Sequence, residues 1–123
     1  MTATPNEHGV YIEEIEVVAL DLGPKATAEV YLAQDSADSR WRFGWSAKWL
    51  YGNWAGSARG PWATDAGFTD REDALMTARR EIGDFLRKAA ADMLISGFDP
   101  HVVNRALARI QRETDPPQLA FAL

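Results

Sequence analysis

The residues with a capacity for chemistry are few and unevenly placed. Glu13, Glu14 and Glu16 stand close enough for paired-carboxylate work, in which one group donates a proton and the other accepts one. Two histidines are present. His8 lies in a polar leader and His101 in the first turn of a predicted helix, neither with a Ser or Asp at a spacing that builds a nucleophilic relay. Gly56-Ser-Ala-Arg-Gly60 offers amides that suit an anion, yet it is neither a P-loop nor a nucleophile elbow, and a flexible connection is the stronger reading. The densest chemistry is cationic and aromatic. Arg40, Arg42, Lys48 and Arg59 are interleaved with tryptophans, and all five tryptophans of the chain fall from Trp41 to Trp62. Guanidinium and indole groups on one surface suit phosphates, stacked rings or an acidic protein surface.

Positioning those groups requires a strand. Trp41, Phe43, Trp45, Ala47 and Trp49 share one parity, while Arg42, Gly44, Ser46 and Lys48 take the other. Successive side chains of a strand point to opposite faces, so the pattern predicts one aromatic face and one basic or small face. The aromatic face is of the size a long amphipathic helix needs as a packing partner, which places it in the core. Arg42, Ser46 and Lys48 then project from the opposite face, joined by Arg40 and Arg59. Trp54 and Trp62 lie outside the alternation and are expected to be partly exposed. Arg40, Arg42, Lys48, Trp54, Arg59 and Trp62 are therefore the candidate binding residues. The bland counterpart is a solvated sheet face neutralised by Glu29 and the first-strand glutamates.

The remaining elements follow in order. Residues 1–9 read as a flexible leader. Val10 to Leu22 is rich in β-branched residues and reads as an acidic edge strand with a bulge near Glu13–Glu14, a short amphipathic helix being the alternative. Ala26 to Gln34 is a second strand, turned by the Asp35–Ser39 cluster into an antiparallel hairpin with the tryptophan strand. Gly52-Asn53 ends that strand, and the glycines that follow predict a loop up to a short strand at Trp62–Thr64. Thr69-Asp-Arg-Glu72 has the form of a capping box for a helix over about 70–96, with Leu75, Ala78, Ile82, Phe85, Leu86 and Ala89 at helical spacing. Asp99-Pro100 opens a second helix with Val103, Ala106, Leu107 and Ile110 on one stripe, stapled by Phe98 against Val103. Strands followed by helices predict an α+β fold: an antiparallel sheet of three or four strands with the long helix on one face, then a shorter helix.

With 123 residues and 46% hydrophobic content, the chain reads as a single domain, 1–123, able to bury a core without staples. There is no cysteine, which excludes disulfides and thiolate chemistry. The leader has no apolar h-region and no uncharged run approaches the ~20 residues of a membrane span, so a soluble cytoplasmic protein without membrane contact is expected. No cofactor or metal is expected. The net charge of −5 is segregated: residues 1–39 carry eight acids against Lys25, whereas 40–62 carry four cations and no acid.

A short strand, a Trp/Arg-rich strand, and Gly67-Phe-Thr-Asp-Arg-Glu-Asp-Ala74 opening a helix resemble the end of an AP2-like domain, over about residues 41–80. The resemblance implies a three-stranded sheet backed by a helix, with Arg40, Arg42 and Lys48 as DNA contacts. From the residues themselves, the expected function is a non-enzymatic interaction module that binds another macromolecule, protein or nucleic acid, through a Trp/Arg-rich sheet surface. The rivals are a small enzyme using the first-strand carboxylates and a fold that wraps tryptophans around a small apolar molecule. The apolar tail 118–123 follows Pro116-Pro117 and places Leu119, Phe121 and Leu123 on one edge, which suits either folding back onto the protein's own sheet or helices or exchange in a homodimer, the latter slightly favoured.

Overall fold

Alternation writes the sheet. β2 (Ala26–Gln34) and β3 (Trp41–Tyr51) pair antiparallel over nine residues, from Ala26 opposite Trp49 to Gln34 opposite Trp41. β1 (Glu16–Asp21) joins the free edge of β2 and β4 (Asn53–Arg59) that of β3, giving the order β1-β2-β3-β4. The computed structural model of the chain describes residues 1–23, 26–51, 53–96 and 101–114; side chains are described there apart from those at 49–51, 53–55, 90, 92–96, 101–103 and 113–114. The predicted helix start at Asp99-Pro100, the staple from Phe98, Gly97 (which by its type is expected to stop the long helix) and the apolar tail with Leu119, Phe121 and Leu123 all lie outside the described residues.

The hairpin turn is held by one carboxylate. Asp35 Oδ1 accepts the amides of Ala37 and Asp38 at 2.6 and 3.1 Å, and the Asp35 carbonyl accepts Ser39 N–H at 3.0 Å. This is the local chemistry by which Asp closes a turn. Ser39, at φ 62°, completes the reversal.

α1 (Arg71–Ser96) lies across β2 and β3, and α2 (His101–Thr114) packs on α1. Ala74, Leu75, Ala78, Ile82, Leu86 and Ala89 are buried along α1 and meet Ala28, Val30 and Leu32 of β2 and Phe43, Trp45 and Ala47 of β3. The aromatic face is thus core, as its size requires. The Trp45 and Phe85 rings stand 5.5 Å apart, and Trp45 Nε1–H donates to Glu81 Oε1 at 3.1 Å. Ala106 and Ile110 of α2 close the same cluster. A buried side chain of this kind contributes about 1.5–3 kcal/mol, so a core of this extent holds sheet and helices together.

Four local expectations are revised. The helix is capped by Asp70, not Thr69: Asp70 Oδ1 accepts Glu72 N–H at 3.0 Å, while the Glu72 carboxylate turns to Arg71. The first strand begins only at Glu16; Glu14 takes φ 57° in a bend, so the chain breaks there where a bulge was expected. Gly56–Arg59 is strand rather than loop. Trp62–Thr64 forms a single bridge, Trp62 with Val10, followed by a turn.

The leader is also tied down. Ala3 N–H donates to the Gln34 carbonyl at 2.7 Å, Ser36 N–H donates to the Ala3 carbonyl at 2.8 Å, and Ala3 is buried. With Tyr11 and Ala33 it forms a second, small core on the sheet face opposite α1.

Candidate functional site

The sheet has an inner face under α1 and an outer face that the helices leave open. Cross-strand partners fix what the outer face presents. One row runs Asp21, Thr27, Lys48 and Gly56, the next Ala19, Glu29, Ser46 and Ala58, the third Val17, Tyr31 and Gly44. Residues directly opposite on an antiparallel pair share a face, so these rows form one surface. Small side chains at Ser46, Gly56 and Ala58 leave a shallow groove of about 450 Å³, flanked by Tyr31, Glu29 and Lys48. Tyr31 Oη and Ser46 Oγ are hydrogen-bonded at 3.0 Å across it. Val17, at the β1 edge, is 50% exposed.

One end of this face is covered. The chain leaving β4 crosses over Gly44: a Cβ there would meet the Arg59 carbonyl oxygen, Gly60 C and Pro61 N, each at 2.6 Å. The crossing delivers Trp62 beside Val10, and Trp62 stays 40% exposed. Beyond the crossing, the leader caps Ala33 and Arg42.

Arg42 lies inside this cap. It is only 7% exposed, although the sequence reading places it on an open surface. Its Nη1 and Nη2 donate to Asp38 at 3.1 and 2.8 Å, its Nε donates to the Asp65 carbonyl at 2.9 Å, and Nη1 also reaches Tyr11 Oη at 3.4 Å. The Arg42 hydrogen bonds lower the Asp38 carboxyl to about 2, and those bonds raise the guanidinium in turn. All three of its nitrogens are engaged, holding the turn, the Asp65 segment and Tyr11 to the strand.

Arg59 is on the other side of the sheet. It pairs in register with Trp45, so it faces inward, 4.7 Å over the Phe43 ring. Its guanidinium binds Asp65 at 2.6 Å and lies 3.6 Å from Glu81. Arg40 remains exposed near the turn, with Nη1 3.4 Å from the Gly67 carbonyl. Lys48 is exposed on the groove and has an interaction of its own. Arg40 and Lys48 are eight residues apart along the chain, roughly 26 Å at strand spacing, so the strand cations do not converge. The Trp54 side chain lies outside the described residues. Of the six candidate residues, then, Lys48 and Trp62 stand with the outer face, whereas Arg42 and Arg59 are structural.

The glutamates separate as well. Glu16 accepts both bonds of an Arg71 fork at 2.8 and 2.5 Å, and that pairing lowers its pKa. Glu13 and Glu14 are exposed in the bend. The His101 side chain lies outside the described residues. Among the described residues no three His, Cys, Asp or Glu side chains gather into a metal-holding group, and no helix is long and apolar enough to cross a membrane. Among the tryptophans whose side chains are described, Trp45 is buried against Phe85, Trp41 packs against the core and Trp62 is exposed, so these three do not ring a small-molecule site.

Tyr31, Ser46, Ala58 and Val17 enter the surface without having been candidates. The signal for Tyr31 was its parity with Glu29 on β2, and Ser46 was already placed on the outward parity. Ala58 needed the β4 register, which residue types alone do not supply. Compared with models of known families, with curated proteins and with solved structures, the chain matches none.

Proposed function

We propose that the protein is a non-enzymatic binding module whose contact surface is the outer sheet face and whose partner is another protein. The observation that carries this reading is the open face itself: both helices lie on the other side, and none of the described residues fills the groove between Tyr31 and Lys48. Tyrosine and tryptophan are the side chains that most often dominate protein contacts, since they bury large area with few rotors. Tyr31 and the exposed Trp62 fit that role, and Val17 adds apolar area. Glu29 beside Ser46 and Lys48 gives the face both signs of charge, which favours a specific polar partner over a polyanion.

The AP2-like reading has less support. Of its implied contacts, Arg42 is buried and bound to Asp38 and the Asp65 carbonyl, and a nucleic-acid surface needs several cations tracking phosphates. The small-enzyme reading has less still. A general acid needs a raised pKa, and Glu16 is shifted the other way by Arg71.

The test is native capture from the source cell, on immobilised wild type, Lys48→Glu and Trp62→Ala, with direct titration of what is captured. The expected result is a protein retained by wild type and lost from both variants. Short duplex or single-stranded probes that bind at low salt, with affinity falling at a log–log slope near −3, would instead support the nucleic-acid reading.

A further inference from the structure

On the helical side of the molecule, α1 and α2 leave a groove of about 260 Å³ between them. Three guanidiniums line it, Arg79, Arg80 and Arg87, with Asp84 as the carboxylate among the described lining residues and Gln111 as an amide donor from α2. Gly83 and the buried Ile110 form its floor. Nothing in the outer-face reading uses this site.

The glycine is the informative residue. Gly83 sits well inside a 26-residue helix, where glycine weakens the helix relative to alanine. Close helix packing would explain it, but does not. A Cβ at Gly83 would meet Ile110 Cγ2 at 3.8 Å and Arg87 Nη2 at 3.9 Å, which is ordinary contact. The missing methyl therefore leaves space in the groove that Arg79, Arg80 and Arg87 also line, and close approach of backbone to a ligand is a standard use of glycine.

We propose that this groove binds the phosphoryl group of a small phosphorylated solute. Arginine presents planar paired donors that match phosphate oxygens, and among the described residues Asp84, paired with Arg87, leaves the charge of Arg80 unmatched. Arg87 is paired with Asp84, but their side chains are 50% and 75% exposed, so that pair is weak. A dianion brings more charge to Arg87 than one carboxylate and displaces it. Arg79 has an interaction of its own and lines the wall, while exposed Arg80 has no ion pair among the described residues and closes on the ligand. Two features select a small solute over a nucleic acid. The volume is below that of a drug-sized pocket, and the protein's net charge of −5 repels an extended polyanion more than it does one phosphate.

The experiment is calorimetric titration of the full chain at low ionic strength with inorganic phosphate and with glycerol 3-phosphate, and a 12-base-pair duplex as the third probe. Binding of either small phosphate is expected, weakened at least tenfold by Arg80→Ala and by Arg87→Ala. Asp84→Asn, which removes the internal competitor, should tighten it about threefold or more. Gly83→Ala should weaken it while raising the melting temperature, which separates loss of the site from loss of the fold. No binding of either phosphate at millimolar concentration, or affinities unchanged in the Arg80 and Arg87 variants, overturns the proposal. Tighter binding of the duplex than of the small phosphates also overturns it.

Discussion

Tyr11 donates its hydroxyl to Asp35 Oδ2 at 2.5 Å, joining the segment that covers the outer face to the carboxylate that forms the β2–β3 turn. The two residues are 24 positions apart. Asp35 thus uses one oxygen for the turn and the other for the cap, and Arg42 lies beside both. Burial and the bond to Asp35 push the Tyr11 phenol up to about 12 from an ordinary 10.0, while the same bond, with burial opposing, lowers the Asp35 carboxyl.

Tyr11→Phe keeps the ring volume but leaves the buried Asp35 oxygen without its donor. A loss of about 1–3 kcal/mol in urea unfolding is expected. The neutral phenol is the form favoured by folding. Its contribution is therefore complete below pH 10 and lost as pH rises through about 12. Ultraviolet titration should show a tyrosine phase near pH 12 that is missing from the variant.

Arg42 and Lys48 share a strand and a parity, yet their replacement should differ sharply. Arg42→Ala strands the Asp65 carbonyl and takes the cation away from the buried Asp35 carboxylate, at about 1–3 kcal/mol for the lost hydrogen bond alone. Lys48→Ala should stay within about 0.5 kcal/mol, as surface changes do. Chemical denaturation of the two variants side by side measures the difference. Equal small effects would mean that Arg42 is a surface residue after all.

That contrast marks where sequence legibility stopped. Alternation from Trp41 to Trp49 and the helical spacing from Leu75 to Ala89 are local patterns, and they were enough to give the sheet, its core face and the helix upon it. Neither pattern states what covers the other face. The cap over Arg42 comes from Ala3 and Tyr11, a contact between distant segments that leaves no periodicity. β4 was hidden for another reason. A Cβ at Gly56 would lie 2.2 Å from the Ala47 carbonyl oxygen, so close pairing demands the small residues that otherwise signal a loop. With β4 unread, its register was unread too, and Arg59 was assigned to the outer face instead of the ring of Phe43.

Gly44→Ala probes the crossing that closes one end of the outer face. Its new methyl would lie 2.6 Å from three backbone atoms of the Arg59–Pro61 segment, which cannot turn aside as a side-chain tip would. Overpacking of this kind costs about 1–3 kcal/mol, and the displaced segment carries Trp62. A lower melting temperature with altered tryptophan emission is expected, measured by thermal unfolding followed by fluorescence.

Acid should weaken the fold through three carboxylates. Asp38, Asp35 and Glu16 are all lowered, chiefly by hydrogen bonds from Arg42, Tyr11 and Arg71 respectively. A depressed carboxyl stabilises the fold above its ordinary pKa, and that contribution is lost as pH falls through the folded-state value. Stability should therefore drop between about pH 4 and pH 2. Circular dichroism at stepped pH follows it, and Asp38→Asn should flatten the acid limb.

The outer-face account is tested most directly by methyl NMR of the protein with its captured partner. Val17, Ala19 and Ala58 carry methyls on the outer face, Val30 and Leu86 lie in the core, and Ala91 and Ala108 are exposed on the helices. The account predicts that partner addition shifts or broadens the Val17, Ala19 and Ala58 signals and leaves those of Ala91 and Ala108 in place. Perturbation confined to Ala91 and Ala108, with the sheet methyls unmoved, would contradict it.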